Sequence, residues 1–156
     1  MQVREKLFQL CSDVGVKPDL TNFSGRKQLQ KLTYMFEVFG LDLGFRFSWY
    51  VHGPYDRRLT SVLFNDDKDE SVREVLDKFK NEDKKLRQLK KFLGRDIHSS
   101  RALELIGSLH YLLIIGQQKN IDDDTIINQL LDLKPQFSEG ETRYYLKRIK
   151  ETNFNS

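Results

Sequence analysis

The sequence predicts a mainly α-helical fold with a small β element, an α+β arrangement in one compact domain over residues 1–156. Apolar residues recur at helical spacing through most of the chain, and a run of aromatic and β-branched residues at 45–51 has the character of a strand. No internal repeat, low-complexity tract or linker divides the sequence. A chain of this length buries roughly 70% of its unfolded-chain surface, so burial alone can hold one domain together.

The first predicted helix covers residues 2–14, where apolar side chains recur at i, i+3 and i+4 before Gly15 and Pro18 end the pattern. Cys11 falls within this apolar stripe, so we expect its thiol to be buried. A lone cysteine cannot form an intramolecular disulfide, and together with three scattered histidines it does not make a zinc site.

Residues 25–63 are predicted to form one unit of helix, strand, turn and helix. Ser24 can cap a helix that runs to Phe39 and ends at Gly40. The strand at 45–51 follows this helix, an order that is compatible with a winged-helix-like first half.

A His-Gly-Pro-Tyr turn ends the predicted strand. Gly53 supplies conformational freedom, and Pro54 biases the preceding glycine away from the helical region, so these two residues shape the turn. Asp56 can then cap a short helix that extends to Leu63.

The second half of the chain is predicted to be helical throughout. The pattern indicates a long helix over 71–93, interrupted by the sequence NEDKK, and a central core helix over 99–116. Two short helices follow, one starting at residues 122–124 and one at Ser138, where Glu141 completes a capping box. The central-helix side chains that we expect to be nearly fully buried are Leu105, Leu109, Leu112 and Leu113.

The usual catalytic signatures are absent from the sequence: it has no Gly-rich phosphate loop, no G-x-G-x-x-G, no H-E-x-x-H and no G-x-S-x-G. His52, His98 and His110 are spread over a turn, a loop and the central helix. We interpret His110 as a hydrogen-bonded, semi-buried residue. The prediction is a protein that is not an enzyme and that carries no metal and no cofactor.

The net charge of +3, from 26 basic and 23 acidic residues, is too small to predict nucleic-acid binding by itself. The basic surplus lies in residues 79–156, mostly in the predicted helix that ends at Leu93. The candidate nucleic-acid contacts in that helix are Lys84, Lys85, Lys90 and Lys91. Because Glu82 or Asp83 can pair with basic side chains one turn away, the pattern favours a solvated helix face and leaves phosphate binding as the alternative.

The turn at 50–58 is the main candidate for a functional surface. Tyrosine and arginine contribute disproportionately to interfaces, and a helix start beside guanidinium and phenol groups suits an anion or a carboxylate. The candidate partner-binding residues are Tyr50, His52, Tyr55, Arg57 and Arg58, on a turn shaped by Gly53 and Pro54. The alternative for the aromatic side chains is that they pack the strand onto the helices.

The segment RKQLQKLTYMFEVFGLDLGFRFSWYVHGPYDRRLTSVL resembles the YwgA-like proteins, whose pattern is a QKL-Y helix, an aromatic strand and a Y-GPYS-L turn. LELIGSLHYL and KPQFSEGE are similar to that family's second half, so the resemblance covers residues ~25–150. A looser likeness links the LQKL-Y helix and the turn to the SocA-like Panacea antitoxin domain. The signature positions are Gln30, Lys31, Leu32, Tyr34, Tyr50, Gly53, Pro54 and Tyr55, while Asp56 stands where the family usually has serine.

The Panacea likeness implies partner binding rather than catalysis. We therefore expect a non-enzymatic regulatory or defence-type module that binds a protein partner, as an antitoxin or adaptor does. A winged-helix-like nucleic-acid-binding regulator is the alternative, which the basic helix favours. No stretch approaches the ~18 apolar residues of a membrane span, and the N-terminus lacks a secretory signal, so we expect a cytoplasmic protein with no membrane partner.

Overall fold

The computed structural model describes residues 1–50, 53–63, 74–115, 120–152 and 154, and this part of the chain is mainly helical, as predicted. Its α-helices are α1 Val3–Asp13, α2 Phe23–Val38, α3 Arg57–Leu63, α4 Glu82–Leu93, α5 Ser100–His110, α6 Asp123–Leu133 and α7 Glu139–Glu151. A 3₁₀ turn, Gly94–His98, joins α4 to α5, and a π-helical turn, Tyr111–Ile115, extends α5.

Helix α5 lies at the centre of the fold, where it contacts α2, α6 and α7. Buried apolar side chains from all of the α-helices named above form one cluster around it. Leu105 and Leu109 are fully buried, and Leu112 and Leu113 are nearly so, which confirms the predicted core. The continuous apolar stripe of this segment requires neighbours on nearly every side, and a central position supplies them.

Cys11 on α1 is fully buried, as its place in the apolar stripe predicts. Burial raises the pKa of the thiol to about 12 because the charged thiolate would lose its hydration. The thiol is therefore protonated at neutral pH and serves as a small apolar core group.

Helix α2 begins earlier than predicted, because its N-cap is Asn22 rather than Ser24. The Asn22 side chain accepts a hydrogen bond from the Gly25 N–H at 2.7 Å and donates one to the Asp19 carboxylate at 2.9 Å. Gly25 is required here because a Cβ at this position would lie 1.8 Å from the Asp19 carbonyl oxygen. The residue before the helix thus caps it, and Asp19 holds that cap in place.

The strand predicted over 45–51 is not seen in the described residues. The pairing of residues 45–50 is a single antiparallel bridge between Ser48 and Tyr55, with two backbone hydrogen bonds of 2.9 Å. A strand requires a continuous neighbour, and the chain that returns from the turn enters α3 two residues after Tyr55. Neither a sheet nor a wing is shown in this part of the chain.

The long helix predicted over 71–93 is confirmed for residues 82–93 and wrong for residues 74–81, since α4 starts only at Glu82. Residues 74 and 75 instead pair with the start of the chain, where the Val75 N–H donates to the Met1 carbonyl at 2.8 Å. Asn81 then adopts a left-handed conformation, with φ of 57°, directly before the helix. Of a kink, a break or an exposed middle turn, which the NEDKK interruption suggests in the sequence, the structure has a break, because α4 starts within this stretch.

Glu82 at that start is buried, and its carboxylate forms an ion pair of 2.6 Å with the ammonium group of Lys6 on α1. The same Lys6 group donates to the Asp77 carbonyl at 2.6 Å, and the Phe79 N–H donates to Glu82 at 3.0 Å. This cluster joins α1, α4 and the segment between them. Glu82 was expected to pair with a basic side chain of its own helix, but its ion-pair partner is Lys6 on α1.

The last two helices start as predicted. Asp122 accepts a hydrogen bond from the Thr125 N–H at 2.8 Å, and Ser138 and Glu141 form the complete capping box of α7. Within the described residues, no helix has both the length and the apolar character needed to cross a bilayer.

Candidate functional site

A cleft of about 320 Å³ lies between the first two turns of α2 and the turn that leads into α3. We call it the Tyr50–Tyr55 cleft. Its lining residues are Phe23, Arg26, Lys27, Gln30, Lys31, Tyr50, Gly53, Pro54, Tyr55 and Thr60. The structure thus brings two predicted partner-binding residues and the two predicted turn-shaping residues to one concave surface.

One wall of the cleft is aromatic. The rings of Tyr50 and Tyr55 are stacked, with centroids 4.9 Å apart and planes inclined by 26°. Tyr55 is fixed by its backbone bridge to Ser48, and its hydroxyl lies 3.3 Å from the Thr60 hydroxyl. Tyr50 is 53% exposed, so its ring presents area to a ligand on a support that is already ordered.

The opposite wall is the first part of α2, which contributes an aromatic ring and three cations. Phe23 is 60% exposed, and the ammonium group of Lys27 lies over its ring at 5.3 Å from the centroid. Arg26 is half-buried and donates from Nη1 to the Leu20 carbonyl at 3.1 Å. Among the described lining residues there are three basic side chains and no acidic one.

Lys31, one of the lining residues, belongs to a buried group of charges beneath the cleft. The ammonium group of Lys31 lies 3.3 Å from one carboxylate oxygen of Glu104 on α5, and that of Lys134 lies 3.4 Å from the other. All three side chains are less than one-tenth exposed. Lys31 also donates to the hydroxyl of Ser100 at 2.9 Å, and the Gln136 amide donates to Glu104 at 3.2 Å.

The turn that carries Tyr55 rests directly on this group. Gly53 has φ of 103°, a left-handed conformation that favours glycine, and it faces Glu104 and Ser108 of α5. Gly53 and Pro54 are both buried, so they shape the cleft from beneath and do not present side chains to a partner.

Asp56 connects the turn to α2 and α3. Its backbone N–H and carbonyl pair with the two ends of the Gln30 amide, at 3.1 and 2.9 Å. Burial by itself would raise the pKa of the Asp56 carboxyl, but hydrogen bonds from the Arg58 side chain and from the backbone of Arg46 and Arg58 outweigh it. The pKa of this carboxyl is therefore held below its usual range.

The remaining predicted partner-binding residues take other positions. Arg58 is half-buried, and its guanidinium forms an ion pair of 2.9 Å with Asp56, so its position is explained within the fold. Arg57 is exposed but does not line the cleft. His52 lies outside the described residues.

Among the other aromatic side chains of the turn region, Phe47 packs on Tyr34 and Trp49 on Tyr111, as the packing alternative predicts.

The lysines predicted to contact nucleic acid lie on α4, outside the cleft. Lys84, Lys90 and Lys91 are exposed, whereas Lys85 is half-buried and donates to the Gly40 carbonyl at 3.2 Å. Asp83 on the same helix pairs with Lys78 rather than with a residue one turn further along. These side chains form a mixed, solvated surface.

His110 is hydrogen-bonded, as predicted, with its Nδ1 atom 2.6 Å from the Tyr34 hydroxyl, and it is buried rather than semi-buried. No group of three or more potential metal ligands is found in the described part of the chain.

Sequence reasoning assigned no site role to Phe23, Arg26 and Lys27, and Lys31 entered only as a position of the family resemblance. Their signal is nevertheless visible in the sequence, because residues 23, 26, 27, 30 and 31 follow the i, i+3, i+4, i+7, i+8 spacing of one helix face. The apolar face of the same helix dominated the pattern. A search for aromatic and basic residues on the remaining face would have found the cleft wall.

The loop that leads from α2 to the cleft is held by Glu37, whose carboxylate accepts the Phe45 N–H at 2.9 Å. Burial raises the pKa of this carboxyl from 4.5 to about 7. Because the folded state binds this proton more tightly than the unfolded chain, the resulting stability is fully present below pH 4.5 and is lost as the pH rises through about 7. We expect a loss of about 2–3 kcal/mol over that interval.

The measurement is the free energy of unfolding by urea across this pH range. Glu37→Gln retains an acceptor for the Phe45 N–H and is expected to remove most of the decline, while the exposed Glu5→Gln should leave it in place. An unchanged pH dependence in Glu37→Gln would show that this carboxyl does not titrate as described.

Comparison with known proteins gives no match: no protein-family model, no curated protein and no solved structure is significantly similar to this chain.

Proposed function

We propose that this protein is a non-enzymatic regulatory module that binds a protein partner, in the manner of an antitoxin or adaptor, and that the Tyr50–Tyr55 cleft is the binding surface. The observation that supports this proposal is the stacked Tyr50–Tyr55 pair, of which Tyr50 is exposed, opposite Phe23 and three basic side chains of α2. Aromatic side chains in a concave setting supply large contact areas with few rotatable bonds.

The support beneath the cleft favours the same function. Three sets of contacts hold the lining side chains in place: the Gln30–Asp56 pairing, the Ser48–Tyr55 bridge and the buried Glu104 group. A surface that is ordered before binding loses little conformational entropy when the partner arrives. The YwgA-like and Panacea-like resemblance, which stays a prediction, points to the same class of function.

The second candidate function is a winged-helix-like nucleic-acid-binding regulator. The observation in its favour is the set of exposed lysines on α4, Lys84, Lys90 and Lys91. Against it, Asp83 and Lys78 pair beside them, and these lysines do not line the cleft that contains the exposed rings of Phe23 and Tyr50, on which bases could stack.

The experiment that tests the proposal is photo-crosslinking in the native host. A photoreactive phenylalanine is placed at position 50 or, as the control, at position 144, where a tyrosine on α7 is similarly exposed at 58%. We expect a defined protein adduct from position 50 that survives nuclease treatment, and none from position 144. In binding assays with that protein, Tyr50→Ala should weaken the affinity by about thirtyfold, as expected for an interface hot spot, while Tyr144→Ala should not.

Two outcomes would contradict the proposal. An adduct formed equally from both positions would mean that the cleft is not the binding surface. Complexes that disappear on nuclease treatment, together with binding that is lost in Lys84→Ala, Lys90→Ala and Lys91→Ala variants, would favour the nucleic-acid function.

A further inference from the structure

We propose that the Tyr50–Tyr55 cleft recognises an acidic peptide segment of its partner, in which a carboxylate side chain adjoins an apolar or aromatic one. This inference rests on the proposed function and names the chemistry of the partner. It starts from the charge of the cleft, which is lined by Arg26, Lys27 and Lys31 and by no acidic side chain among the described residues.

The buried charges under the cleft strengthen this imbalance. Glu104 provides one carboxylate for two ammonium groups, those of Lys31 and Lys134. Burial lowers the pKa of Lys31, Glu104 opposes this effect, and the like charges of Lys27 and Lys134 add to it. The group of Lys31, Lys134 and Glu104 has two ammonium groups and one carboxylate, and this excess of basic groups adds to the basic lining of the cleft.

The positions of the cations suit a carboxylate at the rim. Arg26 and Lys27 are adjacent on α2, and both line the cleft. The hydrogen bond from Arg26 to the Leu20 carbonyl and the stacking of Lys27 over Phe23 order these two side chains in advance. Charge-assisted hydrogen bonds from ordered donors are among the stronger polar contacts in proteins.

The aromatic surface beside these cations distinguishes a peptide from other anions. Phe23 and Tyr50 are 60% and 53% exposed and can be covered by an apolar side chain next to the carboxylate. A small free carboxylate would leave both rings in water. A nucleic-acid strand needs a track of cations along its backbone, and the exposed lysines of α4 do not line this cleft.

The test is selection of peptides from a phage-displayed random library against the full chain, followed by fluorescence polarisation with the selected peptides. We expect the selected sequences to be enriched in Asp and Glu beside aromatic or aliphatic residues. Their affinity should fall about tenfold or more in Arg26→Gln/Lys27→Gln, and by a similar factor when the peptide's Asp and Glu are replaced by Asn and Gln. The matched control Lys90→Gln/Lys91→Gln removes the same charge from exposed positions on α4 and should leave the affinity unchanged.

Several results would overturn the inference. The basic side chains of the cleft would not contribute to recognition if the selected peptides lacked acidic enrichment. The same conclusion would follow if they bound the Arg26→Gln/Lys27→Gln variant as tightly as the unchanged protein. Full displacement of the peptide by succinate at an equal concentration would assign the site to a small carboxylate. Tighter binding of a fluorescent oligothymidine that also depends on Arg26 and Lys27 would assign it to nucleic acid. A protein adduct at position 50 combined with no acidic preference would retain the proposed function and reject this inference alone.

Discussion

Replacing Glu82 by glutamine is expected to lower the free energy of unfolding by about 3–5 kcal/mol, the cost of leaving one member of a buried ion pair without its partner. Lys6 is fully buried and Glu82 nearly so, and their charged atoms are 2.6 Å apart. Glutamine keeps the shape and an acceptor for the Phe79 N–H, so the loss reports the missing charge. The measurement is equilibrium denaturation by urea.

The neighbouring Asp83 supplies a matched control on the same helix turn. Its pair with Lys78 is largely exposed on both sides, so Asp83→Asn should change stability by less than about 1 kcal/mol. The double variant Lys6→Met/Glu82→Met should recover much of the loss, because two apolar groups replace two buried charges. Equal effects of Glu82→Gln and Asp83→Asn would contradict the burial of the Lys6–Glu82 pair.

Replacing Leu109 by alanine is expected to cost about 2–5 kcal/mol of the free energy of unfolding, as truncation of buried leucines does, because it leaves a cavity in the core beside the last turn of α5. Leu109 is fully buried, and α5 contacts α2, α6 and α7. Leu133→Ala is the control, since Leu133 on α6 is 51% exposed and should change stability by less than about 0.5 kcal/mol. Chemical denaturation of both variants measures the difference.

A cost below about 0.5 kcal/mol for Leu109→Ala would place the core elsewhere. A Leu133→Ala cost as large as that of Leu109→Ala would contradict the exposed position of Leu133.

The sequence predicted a helix start correctly where the capping side chain and the backbone N–H that donates to it lie within one turn of each other. Asp122 and Ser138 cap α6 and α7 through backbone N–H groups three residues ahead, so the necessary partners were visible in the sequence. The cap of α2 was misassigned to Ser24 because Asn22, two residues earlier, has the better-placed side chain and is held by Asp19.

Of the candidate site, the sequence predicted one wall. Tyr50 and Tyr55 do meet at the cleft above the Gly53–Pro54 turn, whereas Arg58 is occupied by Asp56. The facing residues on α2 were overlooked because Phe23 and Lys27 are separated from the turn by more than twenty residues of sequence. Only the packing of α2 beside the turn makes them neighbours of Tyr50 and Tyr55.

The sequence by itself determined the helical class, the burial of the 105–113 leucines and the shape of the Gly-Pro turn. These features depend on periodicity and on backbone preferences that act over a few residues. The tertiary structure decided where α4 begins, why 45–50 forms one bridge instead of a strand, and which charges face the cleft. Each of these results depends on a partner far away in the chain, such as Lys6 for Glu82 or Glu104 for Lys31, and a local pattern contains no information about such a partner.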